Sequence, residues 1–219
     1  MRIIAGEFRG RILLPPSDNT TRPITDRAKQ SLFDALAVAV DMASGAVLDC
    51  FCGTGSMGLE CLSRGSPKAL FVDRGEAAVK TLRNNIAALG VKDRSEVLQI
   101  NAYRIATVLA AAGRPSPEPP RFLLAFIDPP YAHMESERDR QEVDRLVESI
   151  RQQWMRPEGF LILRHPTEVK LTEMRLQPQI ARQMVYGSMA ITWLHPADAK
   201  DSPATQSADR NPDGAIGGV

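Results

Sequence analysis

The chain has 219 residues, 43% hydrophobic and 24% charged, and carries a formal net charge of +1. That length and apolar content suit one large domain with a small appendage, and the near-neutral charge excludes a globally basic nucleic-acid binder. No apolar run approaches the roughly 18 residues of a membrane span, and no basic stretch opens onto an apolar one as in a signal peptide, so a cytoplasmic protein with no membrane partner is expected.

Charge is uneven along the chain. In the first thirty residues, Arg2, Arg9, Arg11, Arg22, Arg27 and Lys29 face only Glu7, Asp18 and Asp26, which makes either a phosphate-contacting patch or a solvated face. The three cysteines, Cys50, Cys52 and Cys61, fall within twelve positions, and His133, His165 and His195 all stand far from them. A structural zinc site needs about four ligands, so reduced thiols and no metal are expected.

In chain order, Arg2–Ala5 and Arg11–Leu14 read as two short strands around Gly6-Glu7-Phe8-Arg9-Gly10. After a polar loop, Thr25 or Asp26 can cap a helix whose apolar positions Ala28, Leu32, Phe33, Leu36 and Val40 recur at helical spacing. Strand and helix then alternate. Ala46–Phe51 is a strand, followed by a helix through Met57, Leu59, Cys61 and Leu62 to Gly65. Lys68–Val72 is a strand, Ala77–Leu89 a helix stopped by Gly90, Ser95–Ile100 a strand and Tyr103–Ala112 a helix. Past a proline-rich loop come the strand Phe122–Ile127, a polar helix over 139–155 and the strand Phe160–Leu163. Ile180–Val185 and Ala190–Leu194 close a hairpin. This alternation predicts a doubly wound α/β sheet with an antiparallel edge. The stretch from Pro196 is poor in apolar residues and is expected to be disordered.

Two segments carry chemistry. Phe126-Ile127-Asp128-Pro129-Pro130-Tyr131 is an apolar strand that two prolines stop, because neither can donate to a ladder. It places a carboxylate, a backbone carbonyl and a flat ring at the sheet's carboxyl edge, where open α/β sheets bind ligands. The Asp128 carboxylate and the Pro129 carbonyl can hold both hydrogens of an exocyclic amine on a nucleobase. That turns the nitrogen lone pair outward and stabilises positive charge as the nitrogen is alkylated. Tyr131 can stack on the extruded base. His133 reads as a surface-loop histidine rather than a base.

The second segment is Leu48-Asp49-Cys50-Phe51-Cys52-Gly53-Thr54-Gly55-Ser56-Met57-Gly58, a strand, a glycine-rich turn and a helix start. A GxGxxG turn by itself would also suit a dinucleotide. Asp49, however, repels a pyrophosphate and attracts the cationic amino group of S-adenosyl-L-methionine. Asp73, 24 positions later at the next strand's end, can accept from ribose hydroxyls or cap a helix. Asn101, at the tip of the third strand, can read an adenine edge or serve an ordinary turn. An NAD-dependent dehydrogenase, an adenine-N6 methyltransferase and a non-catalytic RNA-binding factor are the competing readings.

Taken with Arg2-Ile3-Ile4-Ala5-Gly6, Arg9-Gly10-Arg11, Arg22-Pro23-Ile24-Thr25-Asp26-Arg27, Gly58-Leu59-Glu60 and Leu62-Ser63-Arg64-Gly65, these motifs resemble those of the bacterial 16S ribosomal RNA guanine-N2 methyltransferases, from Arg2 to about Leu194. The resemblance implies a seven-stranded Rossmann-like class I methyltransferase sheet with its last strand antiparallel, preceded by a β-hairpin and helix. It implies S-adenosyl-L-methionine as cofactor, and 16S rRNA or a small-subunit assembly particle as partner. Residues 1–44 would form the RNA-contacting extension, 45–195 the methyltransferase domain and 196–219 the tail. Asp128, Pro129 and Tyr131 would be catalytic. Asp49, Cys52, Gly53, Thr54, Gly55, Asp73, Asn101, Thr25 and Arg27 would surround the cofactor, and Arg2, Arg9 and Arg11 would meet RNA. Phe33 reads as core, and the polar faces suggest a monomer. The chain departs from the pattern in having Asp73 where the family has Glu, Asn101 where many members have Asp, and Leu163-Arg164-His165 where an acid is common.

Overall fold

The computed structural model describes residues 1–15, 24–111, 121–171, 174 and 180–197. Arg22, the proline-rich loop at 114–120, the last residue of the expected helix Tyr103–Ala112 and the tail from 198 onward lie outside the described residues.

Seven strands form one sheet: β1 (Val47–Cys50), β2 (Ala69–Asp73), β3 (Ser95–Gln99), β4 (Phe122–Ile127), β5 (Met155–Pro166), β6 (Ile180–Tyr186) and β7 (Met189–Leu194), in the spatial order β3-β2-β1-β4-β5-β7-β6. The pairs among β1 to β5 are parallel, and β7 runs antiparallel between β5 and β6. The helices are α1 (Asp26–Ala39), α2 (Ser56–Ser63), α3 (Glu76–Leu89), α4 (Ile105–Ala111), α5 (Ala132–Glu135) and α6 (Glu137–Gln153). The expected fold class is the one observed.

Strands β1 and β4 are buried at every position, as central strands covered on both faces must be. Alternate side chains feed two cores. On one face Val47, Phe71 and Phe126 meet Phe33, Leu59 and Leu82 from α1, α2 and α3. On the other, Leu48, Leu70 and Ala125 meet Ile105 and Leu109 of α4 and Val143 and Val147 of α6. Phe33 is fully buried, 5.8 Å from the Phe126 ring, in line with its assignment to the core.

Chain order moves outward from β1 to β3 and then returns to β4 on the other side of β1. This reversal opens a crevice beyond the carboxyl ends of β1 and β4, the place where doubly wound sheets take ligands.

Two elements differ from expectation. The N-terminal arms form a hairpin with a single bridge, Arg2 to Ile12, instead of two strands. The ladder stops because Ile4 and Ala5 donate their N–H groups to the Glu60 carboxylate at 2.8 and 3.0 Å. Lys29 and Arg64 approach the same carboxylate at 3.0 and 2.9 Å, and these donors hold it below the usual carboxylate range although burial pushes the other way. Gly6 then passes so close to α2 that a Cβ would lie 1.9 Å from the Ser63 carbonyl oxygen. Ile3 and Leu13 of this segment pack in the same core as β1 and β2.

The second difference is β5, which starts at Met155 rather than Phe160. Its register shifts between Phe122 and Leu124 of β4, and Gly159 lies so near Leu123 that a Cβ would meet its carbonyl oxygen at 2.2 Å. A bulge of this kind needs glycine, whose presence makes the segment read as a loop.

Among the described residues no helix is long and apolar enough to cross a membrane, and no group of three or more His, Cys, Asp or Glu is placed to hold a metal ion.

Candidate active site

The glycine turn after β1 is held by its own backbone and by two carboxylates. Gly55 N–H donates to the Cys52 carbonyl at 2.8 Å, and Gly53 and Gly55 sit at φ +54° and +84°. Phe51 adopts φ +57°, a strained position for a non-glycine residue of the kind that concentrates at functional sites. Asp49, 2% exposed, accepts from the Gly58 N–H at 2.9 Å across the start of α2. Burial, aided by the neighbouring Asp128 and Asp73 charges, pushes its carboxyl up to about 7. Asp73 accepts from Gly53 N–H and Gly75 N–H, each at 2.8 Å. It therefore clamps the cofactor-type turn to the end of β2, and does not merely start α3.

At the end of β4, Asp128 N–H extends the ladder to the Cys50 carbonyl at 3.4 Å. The two prolines then lead into α5, with His133 and Met134 donating back to the Pro130 and Tyr131 carbonyls at 2.8 Å each. Asp128 is partly exposed, and Arg164 Nη1 at the tip of β5 lies 2.8 Å from its Oδ2. Burial raises the Asp128 carboxyl above its ordinary range, and Arg164 pulls it back only in part. The same guanidinium carbon is 5.8 Å from the Tyr131 ring centroid.

One cavity of about 1090 Å³ joins these parts. Asp128, Pro129 and Tyr131 line it together with Asp49, Cys52, Gly53, Thr54, Asp73 and Asn101. A Cβ at Gly53 would meet nothing within 4 Å, so this backbone is open to a ligand. The residues present fit a nucleoside bearing a cationic amino acid: a carboxylate at β1 for the cation, one at β2 for the ribose, and between them a glycine backbone with open space beside it. Asn101 Oδ1 accepts from the Tyr103 N–H at 3.1 Å, so its side chain caps the turn after β3 while the residue lines the cavity.

Other candidates stand apart from the cavity lining. Gly55 caps α2, where a Cβ would lie 2.3 Å from Leu82, so its glycine serves close packing. Thr25 caps α1 through Oγ1, accepting from the Ala28 N–H at 3.2 Å, and Arg27 is exposed on the next turn. Arg2 pairs with Asp26 at 3.0 Å, Arg11 donates to the Ala88 carbonyl at 2.8 Å near the end of α3, and Arg9 is exposed. Met1 and Ile24 do line the cavity, so the N-terminal segment borders its wall.

Sequence reasoning missed two features. His133 belongs to α5, not to a surface loop. Its Nδ1 and the Tyr103 hydroxyl are hydrogen-bonded at 2.9 Å, and Phe51 completes a three-ring cluster of which Phe51 and His133 line the cavity. Burial pushes the Tyr103 hydroxyl up to about 12, so it stays protonated. Arg164 was seen only as a departure. Its signal was positional, because the ends of the adjacent parallel strands β4 and β5 face the same crevice.

Residues 1–195 match the family model described as Conserved hypothetical protein 95. YlbH of Bacillus subtilis strain 168, a candidate rRNA methyltransferase, is 34% identical over 187 residues, covering 85% of this chain and 94% of its own. Ribosomal RNA small subunit methyltransferase D of Escherichia coli K12 is 32% identical over 190 residues, 87% of each chain. Among solved structures, the candidate methyltransferase yhhF of Escherichia coli superposes with a TM-score of 0.70 at 26% identity, over 91% of this chain and 99% of that one. With the family model spanning nearly all of the chain and relatives above 30% identity across most of it, this protein belongs to the family that includes the ribosomal RNA small subunit methyltransferase D proteins.

Proposed function

We propose that this protein transfers a methyl group from S-adenosyl-L-methionine to the exocyclic N2 of a guanine in 16S rRNA of the small ribosomal subunit. The observation that carries the reading is the shared cavity, whose wall includes both the glycine turn with its two acids and the Asp128-Pro129-Pro130-Tyr131 edge. The names of the relatives supply the substrate class.

Asp49, Asp73, Gly53 and Asn101 are the residues that would hold the cofactor. When bound, S-adenosyl-L-methionine supplies an electrophilic methyl whose carbon–sulfur bond breaks, with the electron pair staying on sulfur, as the guanine N2 lone pair forms the new nitrogen–carbon bond. Asp128 and the Pro129 carbonyl accept the two amine hydrogens and so orient that lone pair. As the nitrogen becomes positive, the ionised Asp128 stabilises it in a partly water-excluded site. Once methylated, the nitrogen is acidic and loses one proton to water. Tyr131 stacks on the base and fixes its depth.

The test is methyl transfer from labelled S-adenosyl-L-methionine to undermethylated small subunits, naked 16S rRNA and duplex DNA, followed by nucleoside mass spectrometry. Label in N2-methylguanosine from the ribosomal substrates is expected. Label in N6-methyladenosine would replace the base assignment, and absence of label with intact cofactor binding would remove the enzymatic reading.

A further inference from the structure

Arg164 lies one position beyond Leu163, which pairs with Ile127 at the end of β4. The parallel register therefore brings Arg164 beside Asp128, with Nη1 2.8 Å from Oδ2. Only 11% of the arginine side chain is exposed, so its charge is held largely out of water. Its Cζ stands 5.8 Å from the centroid of the Tyr131 ring. One planar cation thus touches both groups assigned to the reacting base. An acid at this strand tip would set a second carboxylate against Asp128, whereas the arginine reverses the sign of that neighbour.

We propose that Arg164 is a positioning residue for this site: it fixes Asp128 Oδ2, favours the accepting carboxylate form against burial, leaves Oδ1 for an amine hydrogen, and holds the Tyr131 ring beside it. The inference rests on the methyl-transfer reading above. A protonated Asp128 would offer an O–H donor where the amine needs an acceptor, and would lose the charge that stabilises the alkylated nitrogen. The other charged or titratable groups on the cavity wall nearby are Asp49 from β1, Cys52 from the glycine turn, His133 and Glu135 from α5, Arg140 from α6 and Glu168 beyond β5. Asp73 and Arg74 stand two strands away at the end of β2. The Asp128 charge opposes ionisation of Asp49, burial opposes ionisation of Asp128 itself, and Arg164 is the cation in contact with Asp128. Arginine suits the task better than lysine because its flat fork grips a carboxylate while its face covers a ring.

Two measurements test this. Carboxyl carbon NMR follows the Asp128 titration in the cofactor-free wild type, Arg164→Gln and Arg164→Lys, with the Asp128 signal identified by its loss in Asp128→Asn. The rate–pH profile of methyl transfer to undermethylated small subunits is recorded for the same variants. Arg164→Gln should raise the Asp128 midpoint by about one pH unit or more, and lower kcat further at pH 6 than at pH 9, by at most about tenfold for each pH unit the midpoint moves. Arg164→Lys should restore most of the acid limb, with KM for S-adenosyl-L-methionine little changed in either variant. An unmoved midpoint, or a uniform loss of rate at all pH values, overturns the proposal. The titration needs no RNA, so a failure of the methylation reading and a failure of the Arg164 inference appear in different experiments.

Discussion

Asp49→Asn should make the ligand-free protein more stable while weakening its hold on the cofactor. The carboxyl sits nearly out of water with one N–H donor, and its acid form persists to about pH 7 against an ordinary 3.8. A carboxyl raised in the folded state binds its proton more tightly there than in the unfolded chain. Its contribution is therefore whole below about pH 4 and is lost as pH rises through 7. At 1.36 kcal/mol per pH unit the gap between 3.8 and about 7 amounts to about 4 kcal/mol, a ceiling because water can reach the turn. Asparagine keeps an acceptor for Gly58 N–H and never ionises. Urea unfolding should show the variant more stable than wild type by up to about 4 kcal/mol at pH 8, or about 8–16 °C in Tm for a chain of this size, with the difference gone near pH 4. Calorimetry in buffers of different ionisation enthalpy should show about half a proton released per S-adenosyl-L-methionine bound by wild type at pH 7, and none in the variant, because the cation drives Asp49 to its charged form. Equal stability of the two proteins at pH 8, or a difference that does not change with pH, would refute the reasoning.

Asp128→Ala should lower methyl transfer to small subunits by about 10²–10³-fold, the scale of losing a preorganised electrostatic partner. Calorimetric S-adenosyl-L-methionine affinity should stay within a few-fold of wild type. Asp73→Ala should act in the opposite order, raising the cofactor Kd by about 10–100-fold, since it removes charged acceptors worth about 1.5–3 kcal/mol each and releases Gly53 and Gly75. Glu60→Ala should cost about 3–5 kcal/mol in urea unfolding, because it leaves the fully buried Lys29 without its counter-charge. Glu60→Ala together with Lys29→Met should recover part of that loss, and no recovery would count against the pairing.

The central sheet was legible because its signals are local. Pro129 and Pro130 end β4 at Ile127 as expected, Gly90 takes the left-handed turn that closes α3, and β1 and β2 fall within one residue of the expected limits. The cavity lining was legible where it comes from a strand end or just after one, as with Asp49, Asp73, Asn101 and Asp128. What escaped depends on partners distant in the chain. Ile4 and Ala5 alternate like a strand, yet their N–H groups go to Glu60, more than fifty positions away. Arg164 looks like a stray charge until the register of β4 and β5 sets it against Asp128. Pro157 and Gly159 disguise the start of β5 because a bulge uses the same residues as a loop.

Helix α2 is eight residues long, about 12 Å, and it is committed at both ends. Its first turn takes part in the Asp49 and Gly58 contact, while Glu60, Ser63 and Arg64 hold the N-terminal hairpin and α1. The hairpin is therefore not a detachable module. A chimera that exchanges residues 1–15 with those of a relative should fold only if positions 60–64 travel with them, and a truncation at the hairpin would strip a buried carboxylate of two donors next to the cofactor turn. The exposed Arg9 side of the hairpin is free to vary, but the side that faces α2 can evolve only as a pair.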